Sequence, residues 1–194
     1  MRLAETAILE KVAGNGVRWA CKMVSFIEGK ALGTQAIAQL EAAGLTPNNR
    51  LLYYSAESCW RTGDIQQSAV IQGRIADILQ ARGELDKALN IRVQEELSVY
   101  ERFGDVYSSA VTKSKIADIL EARGELEEAL RMHREEVLPV FERWGDIQQY
   151  AVIQGKIADI LQSHGELDKA LRIRTQEQLP VYEHLSDVCK RTMT

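Results

Sequence analysis

A segment reading GDIQQSAVIQGRIADILQARGELDKAL begins at Gly63, returns in altered form at Gly104 and again at Gly145, and so recurs every 41 residues. A unit of that size cannot bury a core alone, so the spacing dictates an array of stacked neighbours. A fourth copy starts at Ser186 and runs to Thr194.

Within the first copy, Ile65, Ala69, Ala76 and Leu79, flanked by Ile71, Ile75 and Ile78, make one apolar stripe at helical spacing between Asp64 and Arg82. This is helix A. Gly83 supplies the left-handed residue that ends helices, and Arg82 suits the negative end of the dipole. Glu84 opens helix B, where Leu85, Ala88, Leu89, Val93, Leu97 and Tyr100 form a second stripe running toward Phe103. Gly104 closes it, and Asp105 is placed to cap the next helix A. Such short connections force neighbouring helices to pack antiparallel.

The later copies keep this punctuation at Gly124, Gly145, Gly165 and Asp146. They also keep the packing positions, Ile116, Ala117, Leu120, Leu126, Ala129 and Leu130 in one and Ile157, Ala158, Leu161, Leu167, Ala170 and Leu171 in the other. Only three prolines interrupt a chain rich in strong helix formers, so the expected class is all-α, a solenoid of antiparallel helix pairs. Pro139 and Pro180 fall inside helix B and are expected to kink or restart it; the first copy has Ser98 there, so any bend in it must come from stacking.

The residues Ala76, Leu79, Gly83, Leu85 and Ala88, with their counterparts 41 and 82 residues on, resemble the tetratricopeptide repeat. The usual repeat has about 34 residues, and the longer unit here is similar to the variety in kinesin light chains and bacterial Rap-type regulators. Gln72, Lys113 and Gln154 stand in the place of the family's usual aromatic, and Arg92 and Glu95 depart from its helix B pattern. The resemblance implies a right-handed superhelix whose inner face, lined by helices A, binds peptides or partner helices. Carried over by position, that face presents Gly73, Asp77 and Gln80, then Ser114, Asp118 and Glu121, then Gly155, Asp159 and Gln162. The candidate partner-binding residues are therefore Gln72, Asp77, Gln80, Lys113, Asp118, Glu121, Gln154, Asp159 and Gln162. These are too acidic or too small for the carboxylate clamp by which some members hold chaperone tails.

Asp77, Asp118 and Asp159 form a ladder, each three residues after Arg74, Lys115 or Lys156. An i to i+3 ion pair on each helix A would explain them, at about 0.2–0.5 kcal/mol apiece; a polar groove for a basic or hydrogen-bonding peptide would explain them too.

The net charge of −4 is unevenly spread: residues 63–185 hold fifteen Lys/Arg and twenty-two Asp/Glu, a net of −7, whereas residues 1–62 carry +2. An acidic array repels phosphate backbones, which leaves basic or neutral polypeptide as the expected partner. Cys21, Cys59 and Cys189 are too scattered for disulfides or a zinc knuckle and read as small packing residues. His133, His164 and His184 lack the spacing of a metal site, and no phosphate loop, nucleophile elbow or acid/base constellation is present. No enzyme, cofactor or metal is expected. Trp60 and Trp144 read as packing anchors. Without an apolar secretion core or a membrane-length stretch, the expected compartment is the cytoplasm.

Residues 1–62 are expected to form an N-terminal helical cap with a degenerate repeat, its helices spanning 3–13, 17–27 and 34–43 and a last one starting with Thr46 as cap and Pro47 at the first position. Residues 63–103, 104–144 and 145–185 are the three repeats, and 186–194 the truncated start of a fourth. The truncation predicts an uncovered apolar end and hence a homo-oligomer. Three functions fit: a scaffold holding a protein on its helix A face, a sensor or regulatory domain of a bacterial signalling or defence system, and a self-assembly module.

Overall fold

The computed structural model describes residues 26–42, 44, 47 and 49–184. The chain divides into two compact units, residues 1–103 and 104–194. The described residues contain helices and no strand.

In the first unit, α1 (Phe26–Ala42) packs on α2 (Asn49–Arg61), which packs on α3 (Ile65–Ala81), followed by α4 (Leu85–Ile91) and α5 (Ser98–Phe103). In the second, the order is α6 (Val106–Ala122), α7 (Leu126–Arg131), α8 (Leu138–Trp144), α9 (Ile147–Ser163) and α10 (Leu167–Arg172). Helices A are thus α3, α6 and α9. Their caps follow from sequence: Asp64, Asp105 and Asp146 each accept a bond from the backbone N–H three residues on, at 3.2, 2.9 and 3.0 Å. Gly83, Gly124 and Gly165 follow helices A with φ near 80°, a conformation that side chains resist.

Each helix B contains a π-helical turn, at Arg92–Leu97, Met132–Val137 and Ile173–Gln178. The break therefore does not require proline, as the Ser98 of the first copy allowed. Helix B does restart at Leu138, with Pro139 in its first turn, but the first copy has the same turn without proline. There the Ser98 hydroxyl donates to the Gln94 carbonyl. A π turn adds one residue to the helical cycle. Arg92, at the start of the first, points inward at 0% exposure, while Val93, expected in the apolar stripe, is 36% exposed.

The second unit's core combines Phe141 and Val137 of helix B with Ile153, Ile157 and Leu161 of α9, closed by Ala158 and Ala170. The Tyr107 ring stands edge-on to Phe141 at 5.5 Å, and its hydroxyl donates to Asp146 at 2.8 Å. In the first unit, Leu51, Leu52, Ala56, Ala69 and Ile71 are buried, and the Ser68 hydroxyl donates to the Ala56 carbonyl at 2.9 Å. Cys59 is a buried free thiol, as read from the sequence.

Several expectations about the rest are corrected. A single helix spans Phe26–Ala42 where two were expected, because Gly29 and Gly33 are buried and Gly33 lets the backbone approach Ser55 closely. That packing offsets the helix propensity glycine lacks, about 1 kcal/mol. Pro47 lies before the next helix, which begins at Asn49; its ring is buried and serves packing. Trp60 and Trp144 are each 61% exposed and anchor little, although Trp144 leans on Tyr107 at 5.4 Å. Leu167 and Leu171 are likewise 61% exposed, whereas Leu126 and Leu130 at the same repeat positions are half-buried. The expected helix at 3–13, residues 17–25 of the one expected at 17–27, the Thr46 cap and residues 186–194 lie outside the described residues. No described helix is long and apolar enough to cross a membrane.

Candidate functional site

The Asp ladder is built differently from the i to i+3 pairing expected of it. Asp77 pairs with Arg92 and Asp159 with Arg174, in both cases a cation fifteen residues on, in the helix B of the same copy. Arg74 instead reaches back to Glu41, and Lys156 reaches from α9 to α6, where its ammonium lies 2.7 Å from Asp118. In the first and third copies helix B brings a guanidinium, Arg92 or Arg174, to the carboxylate.

In the second copy the cation is replaced by His133, 0% exposed, with neither ring nitrogen hydrogen-bonded. Its Nε2 lies 3.8 Å from an Asp118 oxygen. Burial pushes the imidazole down to about 4, the Lys156 charge adds to the shift, and Asp118 opposes it. The ring is therefore neutral near pH 7, and the Lys156 ammonium pairs with Asp118.

The small residues expected on the inner face are elsewhere. Gly73, Ser114 and Gly155 are buried, and the space beside Gly73 and Gly155 is filled by Glu96 and Gln178 of helix B. Lys113 and Gln154 also turn to helix B: Lys113 pairs with Glu136 at 3.0 Å, and the Gln154 amide donates to Glu177 at 2.6 Å and to the Tyr150 hydroxyl at 3.0 Å. Gln72 is half-buried on α3, as is Gln80, while Gln162 is exposed on α9.

What the second unit does bring together is Asp118 and Glu121 of α6 with Asp159 of α9. Glu121 has no ion-pair partner among the described residues. Burial raises its carboxyl above the usual range, and the Asp118 and Asp159 charges raise it further, partly offset by Lys156. Lys156 pairs with Asp118 and Arg174 with Asp159, which leaves Glu121 as the carboxylate of the three without an ion pair among the described residues. Among the described residues no three His, Cys, Asp or Glu side chains assemble a metal site. Lys156 also donates to the Ser114 hydroxyl at 3.1 Å, but an ammonium shared with both Asp118 oxygens offers no lone pair for general-base work.

Sequence reading missed Arg92, His133 and Arg174 as partners of the ladder, although their constant fifteen-residue offset from each Asp was a usable signal. It also missed the reach of Lys156, which no local spacing encodes.

No family model matches the chain, and no curated protein matches it. Solved structures do. Two crystal structures of a Podosopora anserina protein described as a kinesin light chain, with nearly identical TPR-like repeats, superpose on it. One, a glutamine-to-methionine variant, has 14% identity and TM-score 0.51 and covers 93% of this chain and 96% of its own; the other has 15% identity and TM-score 0.50 and covers 91% and 95%. The chain therefore has the all-α solenoid fold of TPR-like repeats.

Proposed function

We propose that this chain is a non-enzymatic protein-interaction scaffold of the cytoplasm, with residues 1–62 as a cap and three 41-residue repeats as the binding array. A basic peptide or protein segment lies along the helix A face of the second unit, contacting Asp118, Glu121 and Asp159, with Gln162 as a further position; Asp77 and Gln80 hold the corresponding places on helix A of the first unit. The observation that carries this reading is Glu121, a half-buried carboxylate between two like charges with no ion-pair partner among the described residues. A Lys or Arg beside it relieves that repulsion.

A fluorescein-labelled dodecapeptide alternating Lys and Ala is expected to bind the full chain, more weakly as salt rises. The Glu121→Gln/Asp159→Asn variant is expected to weaken binding about tenfold, in line with roughly 1.4 kcal/mol from two partly screened charge contacts. Equal affinity for the variant and the parent chain in fluorescence polarisation refutes the assignment.

The exposed Leu167 and Leu171, with Leu179 at 50%, favour self-assembly as a second reading. Sedimentation is then expected to give a mass above that of one chain, falling to the monomer in Leu167→Glu/Leu171→Glu. A monomer for the unaltered chain at high concentration removes this reading.

A further inference from the structure

A groove of about 330 Å³ lies in the second unit, walled by helix B of the second copy, α9 and helix B of the third. It is distinct from the Asp118, Glu121 and Asp159 cluster, none of which lines it. Its floor is apolar, made by Leu138, Ile157 and Ile173. Its rim is cationic: Arg134 comes from one side, and Arg172 and Lys169 from the other. Lys169 is taken by Glu166, and Glu177 on the wall accepts from Gln154. Arg134 and Arg172 have no ion pair among the described residues. Two guanidinium groups without a direct ion pair, Arg134 close enough to Glu166 to help lower its carboxyl, thus stand over an apolar floor within a repeat region whose net charge is −7.

The copies separate what packing requires from what it does not. The floor recurs in every copy: Ile75 and Ile116 match Ile157, Leu97 matches Leu138, and Ile91 and Met132 match Ile173. The two arginines do not recur as a pair. Val93 and Thr175 stand at the place of Arg134, and Arg131 and Asn90 at that of Arg172, so an arginine recurs at the second place but never at the first. Helix stacking therefore accounts for the floor and leaves the charged rim unexplained.

We propose that this groove docks an acidic peptide segment, one carboxylate held between Arg134 and Arg172 and an adjacent aliphatic or aromatic side chain laid on the Leu138, Ile157 and Ile173 floor. The guanidinium fork matches a carboxylate in geometry as well as charge. A dense polyanion fits poorly, because Glu166 and Glu177 lie beside the rim and the surrounding repeats are acidic. The groove would give the scaffold a second surface of opposite charge preference to its helix A face.

The test pans a random dodecapeptide phage library against the full chain and measures the recovered peptides by fluorescence polarisation. The expected result is a consensus with Asp or Glu next to Leu, Ile or Phe, bound at least tenfold more weakly by Arg134→Glu/Arg172→Glu and unchanged in Glu121→Gln/Asp159→Asn. Should the charge reversal fail to fold by circular dichroism, Arg134→Gln/Arg172→Gln replaces it, with the same tenfold loss expected. Recovery of no binder, a neutral or basic consensus, or full affinity in the arginine variant overturns the proposal. Displacement of the peptide by a heparin oligosaccharide or by phosphatidylserine vesicles that themselves bind more tightly overturns it too. Loss of binding in the Glu121→Gln/Asp159→Asn variant alone assigns the peptide to the helix A face instead, so the two surfaces can fail independently.

Discussion

Replacing Arg92 with Ala is expected to destabilise the chain by about 3–5 kcal/mol, read as a fall in the urea midpoint at neutral pH. Arg92 is fully buried and pairs with both Asp77 and Glu96. Its removal leaves the Glu96 carboxylate, only 8% exposed, without its guanidinium. Beside Glu96 lies Gly73, close enough that an added methyl would collide with the carboxylate, so water has little room to take over. The loss comes from an uncompensated buried charge, and removing both partners should avoid it: Arg92→Met/Glu96→Leu is expected to recover most of the stability. The second copy has already made a related exchange, with His133 and Val137 at these two places. A loss below about 1 kcal/mol for Arg92→Ala would mean that the pair contributes little at this depth.

The other large effect is a pH dependence centred on His133. Its ordinary value near 6.5 in the unfolded chain falls to about 4 in the folded one, because burial and Lys156 both oppose the imidazolium. Between these values the unfolded chain binds a proton that the folded chain refuses, so stability rises with pH across that window. The contribution is fully present above pH 6.5 and is lost as pH falls, reaching about 3 kcal/mol at pH 4. Asp118, which opposes the shift, and Lys156, which adds to it, face the ring from α6 and α9. Carboxylates titrate in the same range, so the informative quantity is the difference between the parent chain and His133→Leu. The variant is expected to lose markedly less stability between pH 7.5 and 4.5, and parallel pH profiles would show that the buried ring does not titrate as argued.

The helices and their ends were legible because their causes are local. A glycine with positive φ stops helix A, an aspartate three residues before a free N–H starts it, and apolar spacing selects the buried face. These rules act within a few residues, and they recur intact at Asp64, Asp105 and Asp146. In the head the same rules misled, since separate helices were expected at 17–27 and 34–43 while one helix spans Phe26–Ala42, where Gly33 lets it pack closely against α2. For the candidate site, the positions of Asp118, Glu121 and Asp159 were legible from register, but their partners were not.

Sequence alone therefore determined an all-α array with a 41-residue period, its helix caps, its turns and its acidic character. Tertiary structure decided which side chains meet. Packing of helix B against helix A buries Arg92, leaves Val93 exposed and sets Arg174 against Asp159; Lys156 crosses from α9 to α6 to reach Asp118. The physical reason is distance along the chain. Caps and stripes are settled by groups a turn apart, whereas these ion pairs join residues fifteen to forty positions apart, and only packed helices can choose among the competing carboxylates.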